Sequence, residues 1–85
     1  MKKYRTWYCG SEIEEVAIDH ETDKTVIIGD RRYNKRTEEF YNFFNTWQEA
    51  YDYLIARERV EIYDLEERLN KHRETLKKLQ EMSQP

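Results

Sequence analysis

Glycine, proline and cysteine are nearly absent: the chain holds two glycines, one proline and one cysteine among 85 residues. Each scarcity excludes something. A lone Cys9 rules out an internal disulfide and suits a reducing cytoplasm. Gly10 and Gly29 are too few and too far apart for a glycine-rich phosphate loop. The two histidines, His20 and His72, lie on separate segments, and neither has a Cys, His or carboxylate at a metal-ligand spacing. No nucleophile–base pair stands out either, so the expectation is a protein with no catalytic residues, no metal and no cofactor. No stretch approaches the ~20 apolar residues that span a bilayer. The start, MKKYRTWYCG, has no apolar run after its lysines and does not read as a signal peptide. A cytoplasmic protein with no membrane partner is expected.

Charge is abundant. Charged residues make up 39% and apolar residues 38%, which makes an intrachain core marginal and help from a second chain expected. The net charge of −3 is unevenly spread. Residues 1–36 sum to +1, residues 37–69 to −6 and residues 70–85 to +2, an acidic middle between mildly basic ends.

The scarcity of breakers shapes the second half. From Thr46 to Gln84 there is neither Gly nor Pro, so the segment 46–82 reads as one long helix of roughly 55 Å. Thr46 and Glu49 have the spacing of a capping box. One stripe of this helix has heptad spacing, with Ile55, Ile62, Leu69 and Leu76 at one core position and Tyr51, Leu65 and Leu79 at the other. Glu58 and His72 interrupt it with polar groups. Tyr53, Val60 and Tyr63 form a shorter patch on the opposite side. The second half is therefore expected to be coiled-coil-like, in a homodimer or higher homo-oligomer. Parallel pairing would stack Glu58 on Glu58 and His72 on His72, whereas antiparallel pairing brings Glu58 toward His72, so antiparallel is preferred.

Upstream, β-branched and aromatic residues suit a pleated surface. Ile13–His20, Thr25–Ile28 and Arg31–Lys35 read as a three-stranded antiparallel meander within residues 1–36. A three-residue loop would pair Ile18 with Val26 and Val16 with Ile28. Gly29-Asp30 fits a two-residue type II′ turn and places Tyr33 beside Val26. Residues 37–45 read as an aromatic connector, with Thr37-Glu38-Glu39 capping one helical turn through Phe44. The fold class is thus α+β: a small meander followed by one long C-terminal helix, in a single domain spanning residues 1–85.

Candidate contacts come from exposed chemistry. Arg31, Arg32, Lys35 and Arg36, with Tyr33 interleaved, form the densest basic cluster and could grip carboxylates or phosphates. Tyr4, and whichever of Trp7 and Tyr8 faces outward, are further candidates. Nucleic-acid binding by the basic hairpin and a purely structural coiled-coil role both stay open as alternatives.

Three runs carry a resemblance: I-E-E-V-A-I-D-H-E-T-D-K-T-V (Ile13–Val26), G-D-R-R-Y-N-K-R (Gly29–Arg36) and F-F-N-T-W-Q-E-A-Y-D-Y-L (Phe43–Leu54). Together they resemble a group of small phage- and prophage-encoded proteins with a β-rich start, a basic segment and a charged helical tail. The resemblance implies an accessory protein that binds and inhibits a host protein, including anti-defence roles such as anti-CRISPR.

Overall fold

A computed structural model describes residues 1–37 and 39–84. Its elements in order are β1 (Lys2–Trp7), β2 (Ile13–Ala17), β3 (His20–Glu21), β4 (Thr25–Ile28), β5 (Arg31–Asn34), β6 (Tyr41–Phe44) and α1 (Trp47–Gln80). This is an α+β protein with two small antiparallel sheets, ordered β2-β1-β6 and β3-β4-β5, followed by one long helix. The chain divides into two compact units, Met1–Ile55 and a second that begins at Ala56.

In the first unit β1 is central. Arg5 lies opposite Glu14 on one side and Phe43 on the other. Side chains alternate across a strand, so Lys3, Arg5 and Trp7 share a face with Val16, Phe43 and Tyr41. That face meets the second sheet. Ile18, Val26 and Phe43 form the buried cluster, with Val16, Ile28, Tyr33 and Tyr41 packed around it. The opposite face of the first sheet carries Phe44 and Asn42 and receives the start of α1. Ala50 is fully buried there, the Tyr53 ring lies 5.1 Å from that of Phe44, and the Asn42 side-chain amide donates to the Tyr53 hydroxyl at 3.1 Å.

Three expectations are corrected. First, residues 41–44 are a strand, not a helical turn. The Thr37 hydroxyl does accept the N–H groups of Phe40 and Tyr41, at 3.2 and 2.7 Å, but it closes a turn that sends the chain back along β1. Glu38, expected to help cap a helical turn, lies outside the described residues. Pairing with β1 satisfies the backbone of this segment while its aromatic side chains reach both faces, an option one isolated helical turn lacks.

Second, the run 13–20 serves two sheets. β2 pairs with β1, the chain crosses at Ile18 and Asp19, and only β3 joins β4. Third, the register places Glu21 opposite Val26 and His20 opposite Ile27, not Ile18 opposite Val26. A tight turn at Asp23-Lys24 sets it: the Thr22 N–H donates to the Thr25 carbonyl at 2.9 Å, and the Thr25 N–H to the Thr22 hydroxyl at 3.1 Å. Ile18 reaches the core from the crossing, where it is 5% exposed.

Other expectations hold. Ile28 pairs with Arg31 and Val26 with Tyr33, leaving Gly29-Asp30 as the two-residue turn. Gly29 has φ +61° and no other described residue has positive φ, as a type II′ turn requires. At the helix start the Glu49 N–H donates to the Thr46 hydroxyl at 3.1 Å as expected, whereas the Glu49 carboxylate accepts the N–H of Asn45, one residue before the cap, at 3.2 Å.

Candidate interaction surfaces

The basic hairpin cluster is divided by its own strand. Side chains alternate along β5, so Tyr33 turns inward, half-buried, with its ring 6.2 Å from Tyr41. Lys35, on the same face, binds the Glu21 carboxylate at 2.8 Å. The Arg36 guanidinium lies 4.3 Å over the Phe44 ring and donates to the carbonyls of Phe43 and Lys35. Lys35 and Arg36 are thus engaged within the chain. Arg31 and Arg32 are exposed, one on each face of the strand beside the Gly29 turn, and neither makes an ion pair with another described residue. A depression of about 480 Å³ beside the cluster is bordered by Asp23, Lys24, Lys35 and Arg36 among others. Two of its three cations are already committed, and Asp23 offsets the third.

Glu21 lies between two lysines. The Lys3 ammonium, whose side chain is 8% exposed, binds Glu21 at 2.8 Å and also the Asn45 side-chain oxygen. Lys35 reaches the same carboxylate oxygen. The Lys3 hydrogen bond, then that of Lys35, draws the Glu21 carboxyl from its ordinary 4.5 down to about 2. A carboxyl acidified by folding stabilises the fold above its unfolded value and loses that contribution as pH falls through its folded value. Glu21→Gln is therefore expected to lower Tm at neutral pH, with the gap to wild type closing between pH 4.5 and about 2. Thermal melts across that range test this. A gap that does not change with pH would assign the loss to packing instead.

At one end of the first sheet aromatics reach the surface. Tyr4 is half-buried on β1, opposite Phe44 and Glu15. Trp7 is 43% exposed, with the Arg5 guanidinium 4.5 Å over its ring and an edge contact to Tyr41 at 5.8 Å. Arg5 in turn holds Glu14, with contacts as short as 2.9 Å, and this keeps the Glu14 carboxyl below its ordinary value. Tyr8 is 61% exposed, and its N–H donates to the Phe40 carbonyl at 2.8 Å. Phe40 is equally open. Its place in an expected helical turn concealed it as a surface residue.

On α1, Tyr53 is engaged with its own sheet, while Trp47 and Tyr51 stack on each other at 5.1 Å. Ile55 is half-buried. From Glu58 to Gln84 every described residue is exposed, including Glu58, Val60, Ile62, Tyr63, Leu65, Leu69, His72, Leu76 and Leu79. Among the described residues no group of three or more His, Cys, Asp or Glu could hold a metal ion, and no helix is long and apolar enough to cross a membrane. Compared with family models, curated proteins and solved structures, the chain matches none of them.

Proposed function

We propose that this is a non-enzymatic protein-binding module that self-associates through α1 and contacts its partner with the β4–β5 hairpin. One observation carries the reading: Ile62, Leu65, Leu69, Leu76 and Leu79 keep heptad spacing on α1 while each is about half exposed or more. An apolar stripe of that length on a polar helix, broken between Ile62 and Leu79 only by His72, is the mark of a surface made to be covered. A second copy fits it, because antiparallel pairing brings Glu58 toward His72. Arg31 and Arg32 supply the partner contact, being the cations of the cluster whose side chains no other described residue engages. A nucleic-acid surface would need all four cations of the cluster together, and Lys35 and Arg36 are turned to other work. The resemblance to phage-encoded accessory proteins suggests the partner class, a protein of the host cell that is bound and inhibited.

Sedimentation equilibrium at micromolar concentration tests self-association, with twice the 10.6 kDa chain mass expected. Affinity capture from bacterial lysate, wild type against Arg31→Glu/Arg32→Glu, tests the partner surface. A monomer mass together with captures unchanged by the double variant would overturn the reading.

A further inference from the structure

One edge of the β3-β4-β5 sheet is open, and the alternation of an antiparallel ladder shows which groups it offers. The Lys35 N–H donates to the Lys24 carbonyl at 2.8 Å, so residues 35, 33 and 31 take the bonded positions opposite 24, 26 and 28. The β3 side agrees, since the Thr22 N–H bonds the Thr25 carbonyl and leaves the alternate residues of β4 for β5. The N–H and C=O groups of Arg32 and Asn34 therefore face away from the sheet. No other described residue bonds them.

Two features lie along this edge. Arg31 and Arg32 flank it, one on each face, without acidic partners among the described residues. Beyond Asn34 a pocket of about 480 Å³ is lined by Asn34, Thr37, Glu39, Phe40 and Tyr41, with the Phe40 ring 63% exposed.

Charge selects the occupant. Exposed edges invite pairing unless like charges oppose it, and two β5 strands side by side would gather Arg31, Arg32 and Lys35 of both copies along one seam. The acidic edge strand β2 of another copy is a poor candidate too, since Glu14 and Glu15 are already held by Arg5 and Lys2. We propose that β5 accepts an extended acidic segment of a partner protein as a fourth strand. Its backbone pairs with Arg32 and Asn34, its carboxylates meet Arg31 and Arg32, and a large apolar side chain lodges beside Phe40. This rests on the hairpin being the partner surface and adds the mode of binding.

The probe is a fluorescein-labelled peptide of alternating threonine and valine, with paired glutamates at one end and a phenylalanine at the other. It is made in both sequence directions. One direction is expected to bind saturably, and N-methylation of alternate backbone amides should weaken it about tenfold or more. Arg31→Glu/Arg32→Glu should also cost about tenfold, with Tm unchanged because neither side chain has a partner to lose. In the free protein the amides of Arg32 and Asn34 should exchange rapidly while those of Arg31 and Tyr33 are protected. In the complex all four should be slow. If N-methylated peptide binds equally well and the Arg32 and Asn34 amides stay fast, strand addition is wrong while the basic surface survives. If a lysine-for-glutamate peptide binds as tightly, the acidic partner is wrong. Protection of those amides in concentrated protein alone, lost on dilution, would assign the edge to a second copy and overturn the proposal.

Discussion

Phe43→Ala is expected to unfold the Met1–Ile55 unit at room temperature. Phe43 is 2% exposed and stands where the two sheets meet. Its ring makes edge contact with Tyr41 at 5.5 Å and lies 5.5 Å from the Arg5 guanidinium. Its backbone ties the sheets together as well: its N–H donates to the Lys35 carbonyl at 2.7 Å and its carbonyl accepts from Arg36. Truncating a core phenylalanine costs about 3–5 kcal/mol. A core of this size rarely supplies more than that in total. The other buried apolar residues, Ile18, Val26, Phe44 and Ala50, are few and mostly small, so they cannot collapse into the vacated space. Phe43→Leu keeps most of the volume and should cost less than about 1.5–2 kcal/mol, leaving a cooperative transition. Urea melts followed by the fluorescence of Trp7, which touches Tyr41, report this unit directly. A cooperative urea melt for Phe43→Ala with a midpoint close to that of wild type would place the core elsewhere.

The parts of this fold that were legible in the sequence are those set by local chemistry. Thr46, Glu49 and the missing breakers mark the helix because caps and propensity act within a few residues. Gly29 marks its turn because positive φ is a local demand. The pairing of Val26 with Tyr33 then follows from the turn length. What escaped was decided at long range. Every face of β6 is covered, so Tyr41–Phe44 shows no period-two pattern to separate a strand from a helical turn. The switch at Ile18-Asp19 between two sheets carries no Gly or Pro, and nothing nearby announces it. The register of β3 depends on Glu21 pointing inward, which a hydrophobic match cannot anticipate. It is stable only because Lys3 and Lys35 arrive from elsewhere in the chain. The same distant partners removed Lys35 and Arg36 from the candidate surface, whereas Arg31 and Arg32 beside the turn stayed free of such contacts.

The largest change in assembly is expected from Leu65→Asp combined with Leu69→Asp, which should convert the proposed oligomer into a monomer at all accessible concentrations. Full burial of a leucine or isoleucine stabilises by roughly 1.5–3 kcal/mol. Ile62, Leu65, Leu69, Leu76 and Leu79 are about half exposed, between 48% and 59%, so covering each adds roughly 1 kcal/mol. Ten such side chains in a dimer give about 10 kcal/mol, against an association cost of roughly 4–15 kcal/mol. The stripe roughly offsets that cost and leaves no reserve, so a dimer would also depend on Tyr51, Ile55 and the Glu58–His72 pairing. Two aspartates in the centre of the seam remove four of the ten contributions and place four charges where desolvation opposes pairing. The helix should suffer with the oligomer, since a helical segment with no packed face is marginal in water. Helicity measured by circular dichroism should therefore fall along with mass. Direction is tested on the same footing. In an antiparallel seam His72→Glu sets two carboxylates near each other and weakens pairing, and adding Glu58→Lys restores it. In a parallel seam His72→Glu stacks glutamate on glutamate, and Glu58→Lys stacks lysine on lysine without relieving it. Sedimentation equilibrium and far-ultraviolet circular dichroism on these four proteins decide the matter. Monomer mass for the wild type, with helicity unchanged in the Leu65→Asp/Leu69→Asp protein, would show that the stripe holds no second chain.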